Sequence, residues 1–232
     1  MRGNTVIVTG GFGVLGSAVA AAAADRGARL CVIDQASHAP EGLEAALNAG
    51  ALLLGGVDLT DPDIARDAVE KAKMAHGSID ALINVAGTFR WETLQDGDAA
   101  TWDLLYQVNV KTAVNTSKAV LPYLLEQGAG RIVNIGANAA LKSGGGMGPY
   151  AASKSGVHRL TESLAEELKG TGITVNAILP SIIDTAANRA DMPDADFSQW
   201  VTPVDLGEVI MFLISENARS ITGALLPVTG GL

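Results

Sequence analysis

The chain is poor in the residues that staple or metallate small proteins. Cysteine occurs once in 232 residues, at Cys31, which excludes an internal disulfide; set in an apolar run, it is expected to be a small core residue. Histidine occurs three times, at His38, His76 and His158, with no ligand spacing between them, so no metal site is expected. Basic residues are few, 16 against 25 acidic ones, and a net charge of −9 without a basic stripe argues against binding to nucleic acid or anionic membranes. No apolar run approaches the roughly 18 residues of a membrane helix, and no signal peptide precedes the first strand-like segment, so a cytoplasmic location is expected. No linker, repeat or low-complexity tail divides the chain, and residues 1–232 are expected to form a single domain.

What the sequence does have is alternation. Short apolar, β-branched runs at 5–8, 29–33, 51–54, 79–83, 131–135, 173–178 and 225–228 alternate with helical stretches near 61–76, 99–127, 150–169 and 202–215. That order predicts an α/β fold, a Rossmann-like doubly wound parallel sheet with helices on both faces.

The first strand runs into Gly10-Gly11-Phe12-Gly13-Val14-Leu15-Gly16, and an alanine-rich helix follows. Glycines permit a tight turn and bring backbone N–H groups close to a pyrophosphate, whose charge the helix N-terminus favours; these seven residues are therefore candidate dinucleotide contacts. Asp34 ends the second strand at about the distance, roughly 20 residues, where an acid accepts hydrogen bonds from ribose hydroxyls and repels a 2′-phosphate. Gln35 follows it rather than arginine, so NAD(H) is expected to be preferred over NADP(H).

Tyr150 and Lys154 stand one helical turn apart in Tyr150-Ala151-Ala152-Ser153-Lys154, which places a phenol and an ammonium on one face. A free phenol has a pKa of about 10, and a nearby cation is expected to lower it by stabilising the phenolate. The pair is a candidate proton donor or acceptor.

In order along the chain, these motifs resemble the short-chain dehydrogenases/reductases, and the resemblance covers essentially the whole sequence. It implies that Asp58 and Leu59 lie beside the adenine, and that Asn84, Ala86 and Gly87 in Asn84-Val85-Ala86-Gly87 pack near the cofactor. It implies that Asn109, inside an apolar helical stretch, marks a kink whose carbonyl holds a water in a relay to Lys154. It further implies that Lys154 binds the nicotinamide ribose while Tyr150 transfers the proton, and that Pro180, Ile183 and Thr185 follow the sixth strand at the nicotinamide. Ser181 stands where the family has glycine. The family's oligomers imply a homodimer or homotetramer formed through the helices at 99–127 and 150–169.

One expected residue is missing. The family's catalytic serine position is Ala137, whose methyl cannot donate to a developing oxyanion; Ser143 is nearer to Tyr150 but lies in a glycine-rich loop. The glycine turn, this alanine, and the run Leu179-Pro180 through Asn188-Arg189, Met192-Pro193 and Phe197 to Trp200 are similar to those of dihydropteridine reductases, which also lack the serine. The resemblance implies hydride transfer between nicotinamide C4 and a small cyclic or conjugated substrate that has no ketone oxygen to stabilise. Ala137, Phe89, Trp91, Met147, Met192 and Trp200 are candidate walls of a flat apolar pocket. Two other readings stay open: an alcohol or ketone dehydrogenase with a serine-deficient site, and a nucleotide-binding regulator without catalysis.

Overall fold

A computed structural model describes residues 2–47 and 50–231. Seven strands form one parallel sheet: β1 (Thr5–Thr9), β2 (Arg29–Ile33), β3 (Leu52–Leu54), β4 (Ala81–Asn84), β5 (Gly130–Ile135), β6 (Ile173–Pro180) and β7 (Leu225–Val228), in the spatial order β3-β2-β1-β4-β5-β6-β7. The crossovers are α1 (Val14–Asp25), the short α2 (Leu43–Ala46), α3 (Pro62–His76), α4 (Ala99–Tyr106) with α5 (Thr112–Gln127), α6 (Gly148–Glu167), and α7 (Ala186–Asp191) with α8 (Pro203–Leu213). The central strands β1, β4, β5 and β6 are entirely buried because both faces are covered, which is why they read as continuous apolar runs rather than alternating ones.

The pleat still sorts their side chains into two cores. Val6, Val8, Leu30, Val32 and Ile83 pack with Val19, Ala20, Leu206 and Ile210 on the α1/α8 face. Ile7, Cys31, Ile33, Leu82 and Ile132 pack with Val69, Val120 and Leu124 on the α3/α5 face. A fully buried Val, Leu or Ile contributes about 1.5–3 kcal/mol, so these two layers carry most of the folding drive. Cys31 is fully buried and free, and burial pushes its thiol up to about 12, consistent with an inert core residue.

Each helix begins where the local chemistry allows. Asp61 caps α3 by accepting from the N–H groups of Asp63 and Ile64, with Pro62 in the first turn. Asp98 and Thr202 do the same for α4 and α8. The helical stretch expected over 99–127 is interrupted: α4 ends at Tyr106, five residues Gln107–Lys111 form a π turn, and α5 resumes at Thr112. Asn109 sits at the centre of that turn. Among the described residues no helix is long and apolar enough to cross a membrane.

The strand order turns between β1 and β4, because β1 sends its chain to one side and β4 to the other. In such sheets the crevice at the carboxyl ends of these two strands is where a ligand binds.

Candidate active site

A cleft of about 590 Å³ opens at that point. Of the glycine turn, Gly10, Phe12, Gly13, Val14, Leu15 and Gly16 line it; Gly11 lies behind, against Val32. Two glycines are required by space as much as by ligand. Gly10 has φ +61, and a Cβ there would come within 2.8 Å of the Ala86 backbone; a Cβ at Gly16 would run into the Gly10 carbonyl. The turn is thus packed directly onto the loop after β4 and onto its own helix. No side chain caps the first amides of α1, which leaves them available to an anionic ligand.

Asp34 lines the cleft at the tip of β2. One of its carboxylate oxygens accepts the N–H of Phe12 at 2.9 Å and the other accepts the N–H of Ala36 at 2.9 Å, so the acid also ties the glycine turn to the second strand. Asp58 and Leu59 line the same end of the cleft, with Gln35, Ala36 and Thr60 beside them. Asp58 accepts from the N–H and hydroxyl of Thr60, which fixes that turn.

Ala86 and Gly87 line the middle of the cleft, but Asn84 does not. Its side chain is buried under the sheet: Nδ2 donates to Asn134 Oδ1 at 2.9 Å and to Ser117 Oγ, and Oδ1 accepts the Thr116 hydroxyl at 2.7 Å. That network locks β4 to β5 and α5. The Thr9 hydroxyl accepts the N–H groups of Val85 and Ala86, closing β1 onto the same loop.

Tyr150 and Lys154 line the far end. Asn109 stands behind them, 1 % exposed: its Oδ1 accepts the N–H of Thr88 at 2.7 Å, and its Nδ2 donates to the Thr88 carbonyl and to Ser153 Oγ. Ser153 in turn donates to the Tyr150 carbonyl at 2.8 Å. The Asn109 side chain is therefore fully satisfied and links the loop after β4 to the first turns of α6. Lys154 is buried, with its Nζ donating to the Ile135 carbonyl at 2.8 Å. A Cβ at Gly87 would come within 2.8 Å of Asn109 Oδ1 and 3.3 Å of Lys154 Nζ, so Gly87 is the gap between them.

Against the expectation that Lys154 lowers the Tyr150 phenol, burial raises it. Burial pushes Tyr150 up to about 12 and brings Lys154 down to about 8, because each charged form is desolvated; the ammonium donates to the Ile135 carbonyl.

Ile183 lines the cleft, whereas Pro180 and Thr185 do not. Pro180 ends β6 in the core, and the Thr185 hydroxyl accepts the Asn188 N–H as the cap of α7. Ser181 fits where the family has glycine because no non-glycine among the described residues needs a positive φ; its hydroxyl donates to the Thr229 carbonyl at 2.8 Å. Of the candidate substrate residues only Phe89 lines the cleft, its ring edge-on to Tyr150 with centroids 4.9 Å apart. Ala137 is buried at the end of β5, and its N–H donates to His158 Nε2. Trp91 lies across Gly145 and Gly146, Met147 caps α6, and Met192 ends α7. Trp200 is buried against Phe197. Ser143 is exposed and donates to the Gly144 carbonyl. Val57, Thr88, Val108, Thr112 and Ile135 line the cleft without having stood out in the sequence; valine, isoleucine and threonine flanking a motif carry no chemical signal of their own.

A family model described as short chain dehydrogenase matches residues 4–196. The chain belongs to that family. As such it is an oxidoreductase, and it is similar over its full length to proteins of that activity. One is the 2-(S)-hydroxypropyl-CoM dehydrogenase 3 of Xanthobacter autotrophicus, 32% identical, with all of this chain and 97% of that enzyme aligned. Another is a 3-oxoacyl-acyl-carrier-protein reductase of Thermotoga maritima, 31% identical over all of this chain and 98% of that enzyme. A third is an acetoacetyl-CoA reductase of Allochromatium vinosum, 31% identical over 97% of each. Among the described residues no cluster of three or more His, Cys, Asp or Glu is placed to hold a metal ion.

Proposed function

We propose that this short-chain dehydrogenase uses NAD(H) to reduce a small cyclic or conjugated substrate in the manner of a dihydropteridine reductase, with Tyr150 as proton donor. The observation that carries the reading is the convergence of Tyr150, Lys154 and the Asn109 π turn at one end of a cleft whose other end holds Asp34. The cleft fits a dinucleotide: the glycine turn lines it, and the first amides of α1 have no side-chain cap. A bound nicotinamide supplies or accepts the hydride.

The chain's own residues do the rest. A phenol held up at about 12 is protonated at neutral pH, the state a donor needs. The Lys154 ammonium stabilises the phenolate left behind and holds the nicotinamide ribose, and the main-chain carbonyl of Asn109 holds a relay water that returns the proton. Asp34 accepts the adenosine ribose hydroxyls and repels a 2′-phosphate. Ala137 offers no donor to a substrate oxygen, which a conjugated imine does not require. Ile183 supports the nicotinamide end, and a homodimer or homotetramer forms through α4, α5 and α6, where Trp102, Leu104 and Tyr106 are exposed.

A second reading is favoured by the names of the relatives, two of which reduce 3-oxoacyl or acetoacetyl groups. In that case the chain is a ketone reductase that works without the serine. NADH and NADPH oxidation measured with a quinonoid dihydropterin and with a panel of cyclic, aromatic and 3-oxo ketones separates them: turnover of the pterin with NADH supports the first, and turnover of ketones alone supports the second.

A further inference from the structure

The loop after β4 is fastened at three points. At its start Asn109 holds both backbone groups of Thr88. At its end the Glu92 carboxylate accepts the Asp98 N–H at 2.6 Å and the Thr101 hydroxyl at 2.8 Å, which pins it to the first turn of α4. Between these, the Trp91 indole N–H donates to the Gly145 carbonyl at 3.1 Å, and the Glu92 N–H donates to the Gly146 carbonyl at 2.9 Å. A Cβ at Gly146 would overlap the Trp91 ring, so the indole lies directly on the glycine backbone.

Residues 145–146 lead straight into α6, whose first turn carries Tyr150. On the same loop as Trp91, Phe89 meets Tyr150 edge to face, with an interplanar angle of 83°. Phe89 and Tyr150 line the cleft and Trp91 does not. Trp91 is also 62 % exposed, so the core does not account for its position. A large aromatic ring held by an indole hydrogen bond outside the core and outside the cleft joins the two loops that frame the proton donor.

We propose that Trp91 is a positioning residue for the reaction: clasped on Gly145 and Gly146, it holds the Phe89 loop against the lead into α6 and so fixes the Phe89 ring on the Tyr150 ring. The inference rests on the assignment of Tyr150 as proton donor. Misplacing a reacting group by about 1 Å can cost as much as 100-fold in rate. Trp91→Ala is therefore expected to lower kcat about 10- to 100-fold with KM and NADH affinity changed less than about threefold. Trp91→Phe keeps a ring on Gly146 without the N–H and falls between the two.

The test has an arm that needs no substrate. With 3-fluorotyrosine in place of the three tyrosines, Tyr106, Tyr123 and Tyr150 each give a fluorine resonance, and Tyr150→Phe assigns one of them. Trp91→Ala is expected to move the Tyr150 resonance and leave the other two in place; Gly146→Ala, which sets a methyl where the indole lies, moves the same one. In a Phe89→Ala background the further change on Trp91→Ala shrinks, since the effect travels through Phe89. Equal thermal midpoints for wild type and Trp91→Ala separate positioning from loss of fold. An unmoved Tyr150 resonance in Trp91→Ala, or wild-type kcat on a substrate that wild type reduces, overturns the proposal. Wild-type turnover in Tyr150→Phe instead overturns the assignment of the acid, while the fluorine result still decides the clasp.

Discussion

The N–H of Ala137 donates to Nε2 of His158 across 3.3 Å, inside the protein. The position where the family carries its serine thus offers a substrate neither a hydroxyl nor a free amide. It also fixes the state of His158: an imidazole nitrogen that accepts is unprotonated. Burial and the nearby charges of Arg159 and Lys154 hold the ring down to about 4, from 6.5.

The first prediction concerns acid stability. Between pH 6.5 and 4 the unfolded chain takes up a proton at His158 that the folded chain does not, so stability is lost as pH falls through that window. At about 1.4 kcal/mol per pKa unit the loss is on the order of 2–3 kcal/mol. His158→Gln keeps an acceptor for the Ala137 N–H and removes the titration. Urea denaturation from pH 7 to 4 is expected to show a shallower decline in this variant; parallel declines would exclude His158 as the cause.

The second concerns Lys154, whose ammonium is brought down from 10.5 to about 8. Here the unfolded chain binds the extra proton between pH 8 and 10.5, so this group costs stability below pH 8 and the cost is relieved as pH rises to 10.5. Lys154→Met, which removes the buried charge, is expected to raise the thermal midpoint at pH 7, and to abolish turnover. For the wild type, kcat/KM in the reductive direction is expected to fall above about pH 8 as the charge is lost. A profile flat to pH 10 would contradict it.

The third concerns Tyr150. Tyr150→Phe keeps the ring against Phe89 and removes the proton, so turnover is expected to drop by about 10²- to 10⁴-fold with NADH affinity nearly unchanged. Stopped-flow NADH oxidation and a fluorescence titration read the two effects separately.

Cofactor choice gives the fourth. Asp34→Ala removes the ribose acceptor and also the tie to the Phe12 and Ala36 N–H groups. A hydrogen bond to a charged group contributes about 1.5–3 kcal/mol, so the NADH over NADPH preference is expected to shrink by about 10-fold or more. Tighter binding of NADPH than NADH by the wild type would contradict the assignment of Asp34.

Much of this was legible in the sequence, for reasons that particular residues make plain. The strands were visible because both faces of the sheet are covered and Val6 to Val8 or Ile132 to Ile135 leave no polar residue where a partner helix packs, Asn134 excepted. Gly10 and Gly16 announced themselves because contact with the Ala86 backbone and the Gly10 carbonyl excludes a side chain. Asn84 and Thr185 carried motif positions too, yet their side chains hold the fold together, Asn84 through Asn134 and Thr185 as a helix cap. A motif fixes a residue type, and the same amide or hydroxyl serves a ligand or a neighbour equally well. The Trp91 clasp was beyond sequence reasoning, since it joins residues more than fifty positions apart through a glycine that reads as a flexible loop. The raised Tyr150 phenol is not legible in the sequence because burial depends on the whole fold.

The measurement that bears most directly on the account is Ala137→Ser assayed on two substrate classes. With NADH, a quinonoid dihydropterin and a panel of cyclic and aromatic ketones are each given to wild type and variant. The account predicts wild-type turnover of the pterin with little change in Ala137→Ser, and a gain on ketones of up to about 10²- to 10³-fold, the factor one oxyanion donor supplies. Wild-type turnover of ketones with none of the pterin would contradict it and leave a ketone reductase that works without its serine.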